Sequence, residues 1–353
     1  MNLSKQNIKN ISSQSGVILP KENLFELPEK VLQFGTGVLL RGLPDYFIDK
    51  ANRKGIFNGR IIVVKSTSTG DTNVFAEQDG LYTQCIRGIE KGRIIDETII
   101  NSSISRVLSA NEDWGSVLDC ANNPDLQIII SNTTEVGITL VEDDIRMFPP
   151  HSFPGKLLSF LYERYKTFNV SAERGMVIIP TELIPDNGTK LRSIVLELAG
   201  MNKLEDAFNK WLQTANHFCN SLVDRIVPGK LPPVDKEATI KKLGYHDNLM
   251  IMSESYRLWA IESGNEKVKK VLSFSEADDG IVITVDIEKF RELKLRLLNG
   301  SHSLICGLAC LAGFKTVKEA MDNEHISYIL RNLMIEEIVP AIISDKLTYE
   351  EAG

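Results

Sequence analysis

The chain has 353 residues, 25% of them charged and 43% hydrophobic, an ordinary composition for a folded globular protein long enough for two domains. Its formal net charge of -7 argues against a nucleic-acid-binding surface, which usually carries a basic patch. No stretch approaches the roughly 18 apolar residues of a membrane span, and the polar N-terminus lacks the apolar core of a signal peptide, so we expect a cytoplasmic protein.

The predicted elements of the first half alternate between strands and helices. Residues 1–25 are polar and predicted to be irregular. Runs rich in β-branched residues then predict buried strands at Val31–Phe34, Gly59–Lys65, Leu126–Ser131 and Gly175–Pro180, and periodic segments predict helices at Leu39–Lys50, Pro154–Thr167 and Lys190–Leu198. This alternation predicts a parallel α/β sheet with right-handed crossovers.

Two further segments depart from this alternation. Residues 81–101 read as extended chain and predict an antiparallel excursion. After Pro228-Gly229 the pattern changes, and beyond about Val285 it is mostly helical. We therefore predict an α/β fold with a dinucleotide-binding domain over 1–228 and a mostly helical substrate domain over 229–353.

Two glycines follow the first predicted strand directly and precede a helix. Gly35 and Gly37 occupy the first two positions of the G-x-G-x-x-G pattern, in which backbone N–H groups at a helix start receive a pyrophosphate. The third position is Leu40, so an ordinary strand–helix connection remains an alternative. The predicted cofactor-binding turn comprises Gly35, Thr36, Gly37, Val38 and Leu39.

Other strand ends extend this predicted cofactor site. The second strand ends in Lys65-Ser66, where an acidic residue usually holds the ribose, and Asp71 comes only later. Lys65 and Ser66 permit a 2′-phosphate, although Lys65 could also flank the adenosine in water. The third strand ends in Asn132-Thr133-Thr134, at the sheet edge where such folds receive ligands.

The last third of the chain carries Lys294, Asn299 and His302 within nine residues. Carbonyl reduction needs a proton donor, an amide that polarises the carbonyl, and a group that orients the donor, although a solvated helix face would carry the same residue types. An ideal helix would place Lys294 and Asn299 about 140° apart. We therefore predict irregular geometry near Asn299-Gly300, because glycine is permissive there.

The cysteines do not point to a metal or a disulfide framework. The five cysteines are scattered, and Cys306 and Cys310, among apolar neighbours, are predicted to be buried thiols. Neither the cysteines nor the histidines form a cluster that predicts a metal site, and a reducing cytoplasm is the default.

Taken in order, several segments resemble the mannitol dehydrogenase family, also called the long-chain polyol dehydrogenases. The matching segments are 35–41, 78–82, 133–137, 187–188, 223–226 and 294–302. The resemblance implies a Rossmann-like domain followed by a helical domain, NAD as cofactor with NADP not excluded, and no metal. It also implies that Lys294 is the acid/base residue, that Asn299 polarises the carbonyl and that His302 holds Lys294.

Within that family, residues 180–184 and 298–302 are most similar to members that act on hexuronates, which makes a small hexuronate the expected partner. Leu183 stands where mannitol enzymes carry a second polarising Asn. Glu182 and Asn187 are the implied substrate contacts, and a substrate carboxylate would call for an arginine. The candidate arginines are Arg225, Arg257 and Arg296.

Two alternatives stay open at this point. Another member of the family, acting on fructuronate or on mannitol and fructose, would keep the chemistry and change the substrate. Members of the family usually continue well beyond the position of Gly353, so the helical domain is expected to be incomplete and the chain could be an inactive cofactor-binding fragment. The sequence does not predict an oligomeric state.

Overall fold

The structure is a computed structural model that describes residues 1–67, 72–90, 92–133, 136–344 and 347–352. Its strands, in chain order, are β1 Val17–Ile18, β2 Glu29–Phe34, β3 Arg60–Lys65, β4 Tyr82–Glu90, β5 Arg93–Asn101, β6 Ile104–Ser109, β7 Ile128–Ser131, β8 Val177–Pro180, β9 His217–Phe218, β10 Ser221–Asp224, β11 Ile251–Glu254, β12 Leu258–Glu262 and β13 Ile281–Thr284.

The α-helices alternate with these strands through the first part of the chain and follow one another after residue 285. They are α1 Val38–Gly42, α2 Pro44–Arg53, α3 Asn73–Glu77, α4 Trp114–Asp119, α5 Phe153–Thr167, α6 Asn187–Met201, α7 Asp206–Ala215, α8 Pro233–Leu243, α9 Glu266–Val271, α10 Glu288–Glu292, α11 Gly300–Leu311, α12 Val317–Asp322, α13 Glu324–Asn332, α14 Val339–Ile342 and α15 Tyr349–Ala352. None of those in the described ranges combines the length and apolar character that crossing a bilayer requires.

A six-stranded parallel sheet forms the centre of the first part of the chain. Its strand order is β6-β3-β2-β7-β8-β9, with β2 between β3 and β7. The four strands predicted from β-branched runs all lie in this sheet, which confirms the predicted α/β class. The sheet is buried on both faces, so alternate residues of one strand enter different cores: Val31 packs in one and Leu32 in the other.

The helix predicted over Leu39–Lys50 is two helices. Leu43, between α1 and α2, has φ -128° and ψ -76°, outside the helical region. Pro44 explains the break, because its ring disfavours helical geometry in the residue before it and it has no N–H to donate.

The predicted antiparallel excursion is confirmed, and it belongs to a second sheet. β4 and β5 pair antiparallel from Tyr82↔Asn101 to Glu90↔Arg93, and β1 and β11 flank them in the order β1-β5-β4-β11. A third sheet has the order β10-β12-β13.

The domain boundary differs from the one predicted at 228/229. The chain divides into two compact units, Met1–Thr284 and Val285–Gly353. The residues after 228 cannot separate there because β11 pairs with β4 and β12 pairs with β10. Trp259 of β12 also stacks on Phe47 of α2, with ring centroids 6.4 Å apart. The segment 229–284 therefore belongs to the first unit, and the helical part begins after Thr284.

The second unit consists of helices around a small core. The hydrophobic cluster at the centre of this core is contributed by α11, α12 and α13 and comprises Ile305, Ala309, Ala320, Ile326 and Leu330. Cys306 and Cys310 lie on α11 but are exposed, contrary to their predicted burial. Cys306 follows Ile305 and Cys310 follows Ala309, and it is Ile305 and Ala309 that pack into the core. Because successive residues of a helix point in different directions, the two cysteine side chains face away from the core.

Candidate functional site

The glycine turn lies at the carboxyl end of β2, in the middle of the six-stranded sheet. Gly35 has φ +129°, a backbone conformation that side chains other than glycine rarely adopt. A Cβ atom on Gly35 would lie 2.8 Å from Leu40 Cδ1 and 3.0 Å from the Asn132 carbonyl oxygen. The first glycine is therefore required by the fold itself.

Gly37 has a different reason to be glycine. Its backbone is ordinary, with φ -62° and ψ 156°, and a Cβ atom there would meet no atom within 4 Å. Gly37 is exposed, and its neighbours Thr36, Val38 and Leu39 are half-buried. The five predicted turn residues thus form one open corner at a strand end, a place where a pyrophosphate can approach the backbone closely.

The neighbouring strand ends carry hydroxyl groups with no partner. Ser66 follows β3, and Ser109 ends β6 directly beside Lys65 in the strand register. The hydroxyls of Ser66 and Ser109 are buried and accept or donate no hydrogen bond within the described ranges. Lys65 is itself only 6% exposed.

Sequence reasoning missed Ser109, because the strand that ends there was not predicted. Residues 104–109 read Ile-Ser-Arg-Val-Leu-Ser, without the strict alternation of a half-buried strand, so the sequence offered little signal there. Asp71 and Thr134, two other residues considered for the cofactor, lie outside the described residues.

Glu182 holds the loop after β7 by hydrogen bonds. Its Oε1 accepts hydrogen bonds from the backbone N–H and the hydroxyl of Thr133, at 2.8 and 2.9 Å, and its Oε2 accepts one from the Ser131 hydroxyl. The Asn132 amide donates to the carbonyl and the hydroxyl of Thr181. A buried carboxylate needs such donors, and here it holds Asn132 and Thr133 at the sheet edge.

Asn187, predicted to contact substrate, is used within the fold. Its amide nitrogen donates to the carbonyls of Pro180, Glu182 and Ser221 at 3.0–3.1 Å. Its oxygen accepts from the backbone N–H groups of Gly188 and Ser221. The side chain is buried and fastens the start of α6 to β8 and β10, so the structure gives it no contact with a ligand.

Two of the three arginines named for the substrate carboxylate also have internal partners. Arg225 is buried, donates to the carbonyls of Glu254 and Gly42, and lies 4.6 Å above the Tyr46 ring. Burial lowers the pKa of Arg225 to about 10. Arg257 pairs with Asp278 at 2.9 Å. The sequence could not distinguish these structural cations from ligand-binding ones, because their partners are remote in the chain.

Arg296 has a partner on its own helix. Its Nε lies 3.2 Å from a carboxylate oxygen of Glu292, four residues earlier, and both side chains are at the surface. This is the ordinary salt bridge of a solvated helix face.

The predicted catalytic residues lie in the second unit, where the helix changes its winding. α10 continues into a π-helical segment, Leu293–Asn299, which leads into α11. The Gly300 N–H donates to the carbonyl of Leu295, five residues earlier. Because the turn is wider than in an α-helix, residues five positions apart are separated by much less than the roughly 140° of an ordinary α-helix, so Lys294 and Asn299 share one side of the helix.

His302 follows Asn299 by three positions in α11, which puts the two side chains on neighbouring positions of the helix surface. Lys294 is half-buried, and Asn299 and His302 are exposed. The irregular geometry predicted near Asn299-Gly300 is therefore present, but its cause differs. Gly300 has φ -61° and ψ -45°, which any residue adopts, and the wide turn rather than the freedom of glycine aligns the residues.

A metal centre is not formed by the described residues, in which no three His, Cys, Asp or Glu side chains are grouped as ligands. The predicted cofactor residues all lie in the first unit, and Lys294, Asn299 and His302 all lie in the second.

Comparison with protein families divides the chain in the same way as its compact units. Residues 29–273 match the mannitol dehydrogenase Rossmann domain, and residues 286–351 match the mannitol dehydrogenase C-terminal domain.

Curated relatives carry the name altronate oxidoreductase. The protein of Bacillus subtilis (strain 168) is 42% identical over 325 residues, covering 92% of this chain and 67% of that protein. Those of Halalkalibacterium halodurans and Shigella flexneri are 41% and 37% identical, each covering 90% of this chain and 62% and 66% of their own length. The chain spans about two thirds of the length of these relatives.

Two solved structures are similar in fold. D-sorbitol dehydrogenase in its substrate-free form has a TM-score of 0.81 at 19% identity, covering 99% of this chain and 72% of its own. The ternary complex of Pseudomonas fluorescens mannitol 2-dehydrogenase with NAD and D-mannitol has a TM-score of 0.78 at 22% identity, with the same coverage.

Proposed function

This chain belongs to the mannitol dehydrogenase family, and on that premise we propose that it is a nicotinamide-dependent oxidoreductase that interconverts D-tagaturonate and D-altronate. The substrate pair is inferred from the relatives named altronate oxidoreductase. The proposed reaction class rests on the π-helical turn, which brings Lys294 and Asn299 to one side of the helix. The first unit of the same chain has the open glycine corner that a dinucleotide requires.

The residues of the first unit fit a dinucleotide. The open space at Gly37 suits the close approach of a pyrophosphate. Glu182 would keep Asn132 and Thr133 in place at the same edge. When bound, the nicotinamide supplies the hydride chemistry.

The residues of the second unit would manage the proton. Asn299 donates a hydrogen bond from its amide to the substrate oxygen, which stabilises the negative charge that develops there during reduction. The Lys294 ammonium gives a proton to the same oxygen and takes it back in the reverse direction. By the family resemblance, His302 would hold the Lys294 side chain in place. Because Asn187 and Arg225 serve the fold, neither has a part in this proposal.

The proposal includes NADH rather than NADPH as the preferred cofactor. Lys65 is almost fully buried, and a 2′-phosphate would need a cation that water and ligand can reach. A cytoplasmic location is also part of the proposal, since scattered unpaired cysteines are typical of a reducing compartment.

Substrate choice is tested by offering D-tagaturonate, D-fructuronate and D-fructose side by side with NADH and following NADH absorbance. We expect the highest kcat/KM with D-tagaturonate. A higher value with D-fructose would assign the chain to the polyol enzymes instead. NADH binding is measured separately by fluorescence titration, so binding without turnover of any ketone would identify a cofactor-binding chain that lacks the catalytic activity.

A further inference from the structure

Asp45 is a fully buried acid near the start of α2. It is the second residue of α2, its side chain is 0% exposed, and neither carboxyl oxygen has a partner within the described ranges. Buried polar groups in proteins are nearly always hydrogen-bonded, and an isolated buried anion is especially costly. A charged Asp45 would have the Gln33 amide as a donor, but this offsets the cost of burial only in part, so the neutral form is favoured there.

The charged and titratable groups around Asp45 do not supply a further donor. Arg41, one helical turn earlier, donates to the Leu249 carbonyl and stands 5.4 Å from the centre of the Tyr82 ring. The Tyr82 hydroxyl donates to the Arg41 carbonyl, so its proton is used. Asp49, one turn later, is bound by Ser102 and Arg53 and adds a second negative charge.

The second group concerned is the side-chain amide of Gln33 on β2. Its side-chain oxygen is buried and accepts no hydrogen bond from the described residues. Its side-chain nitrogen lies 3.4 Å from the carbonyl oxygen of Gly35, the first glycine of the cofactor turn. The Gln33 side chain also neighbours the Asp45 carboxyl, so it links that carboxyl to the turn.

Burial raises the pKa of Asp45 to about 8, and the nearby Gln33 amide and Arg41 guanidinium offset this only in part. Asp49 acts in the same direction as burial. A protonated carboxyl has one O–H to donate, and the Gln33 oxygen is an acceptor without a donor. One proton would satisfy both orphaned groups.

We propose that Asp45 is a positioning residue of the dinucleotide site, held as a neutral acid that donates its hydrogen bond to Gln33 Oε1 and so fixes the Gly35 turn. This inference rests on the proposed function for the role of the turn. When Asp45 loses its proton, the nearest amide donor is Gln33 Nε2, which then turns from the Gly35 carbonyl to the carboxylate. The turn loses its support, and cofactor affinity falls at alkaline pH.

The test compares Asp45→Asn with the wild type in NADH titrations followed by fluorescence from about pH 6 to about pH 9.5. The Asn amide can donate to Gln33 Oε1 but does not titrate. We expect the wild type to lose about tenfold in affinity across this range, a change of about 1.4 kcal/mol, and the variant to stay flat. Asp49→Asn, one turn away on α2, is the matched control and should keep the alkaline loss. A wild-type profile that is flat, or an Asp45→Asn profile that falls like the wild type, would overturn the proposal.

A second measurement does not depend on cofactor binding or on the variant folding. The carboxyl carbon of Asp45 is followed by NMR in the wild-type protein through a pH titration. A midpoint above pH 7 supports the neutral acid, and a midpoint near the ordinary value of about 3.9 overturns it. If NADH binds at no pH, the proposed function fails, while this titration still decides the state of Asp45.

Discussion

The two glycines of the cofactor turn should respond in opposite ways to the same added methyl group. Gly35→Ala places a Cβ atom 3.0 Å from the Asn132 carbonyl and 2.8 Å from Leu40 Cδ1, at a φ of +129°. Leu40 can rotate, but the carbonyl is fixed in the sheet. Such a backbone conformation costs roughly 1–3 kcal/mol for a residue other than glycine. Adding the clash, we expect Gly35→Ala to lower the free energy of unfolding by about 2–4 kcal/mol.

Gly37→Ala is the matched control for stability. Its Cβ atom meets nothing within 4 Å, and its φ of -62° suits any residue. Alanine at a compatible position usually raises stability by about 0.4–1 kcal/mol, through the unfolded chain. The methyl group would nevertheless stand where a pyrophosphate approaches the backbone, so NADH affinity should fall at least about tenfold.

Urea unfolding and NADH titration of both variants check this reasoning. The expected result is a separation, with stability lost in Gly35→Ala and cofactor affinity lost in Gly37→Ala. If Gly35→Ala is as stable as the wild type, the strain assigned to that turn is wrong. If Gly37→Ala is folded and binds NADH normally, the pyrophosphate does not lie at this corner.

Three further predictions concern the proton chemistry and pH. Lys294→Ala should lower kcat at least about a hundredfold while NADH still binds, and near-normal turnover in an active protein would refute its role as acid/base residue. Asn299→Ala should lower kcat about a hundredfold, because it removes the amide that stabilises the developing negative charge, and an unchanged kcat would contradict that role. Burial raises the pKa of Asp45 to about 8 in the folded state, whereas the unfolded chain has the ordinary value of about 3.9, so between these pH values the folded state binds one more proton. The free energy of unfolding therefore falls as the pH rises through that window, by at most about 1.4 kcal/mol per pH unit. Asp45→Asn should flatten this decline in urea unfolding measured at successive pH values, and an unchanged slope would contradict the assignment.

Local pattern was sufficient for four of the six strands of the central sheet and insufficient for what surrounds them. The runs that form β2, β3, β7 and β8 are apolar on both faces, as strands buried on both sides must be, and each can be recognised without its neighbours. β11 and β12 are short and depend on pairing with distant strands, so the sequence alone placed them in a mostly helical domain.

The candidate site shows the same division between local and distant information. The glycine corner could be predicted because Gly35 and Gly37 are only two positions apart and follow a strand and precede a helix, an arrangement typical of a dinucleotide-binding turn. The internal hydrogen bonds of Arg225 and Asn187 could not be predicted, because the sequence does not distinguish an arginine or asparagine that stabilises the fold from one that binds a ligand. Only partners such as the carbonyls of Gly42 and Ser221, which are remote in the chain, separate the two cases.

The stacking of Trp259 on Phe47 also has a consequence for how the protein is made. Phe47, Phe57, Trp259, Phe274 and Ile281 lie in one hydrophobic core, although the first two are synthesised long before the last three. At a translation rate of roughly 5–20 residues per second, the early aromatic side chains wait roughly 10–45 seconds for their partners. During that interval the nascent chain exposes an unfinished apolar surface, so the first unit should need protection from aggregation on the ribosome until its last strand has emerged.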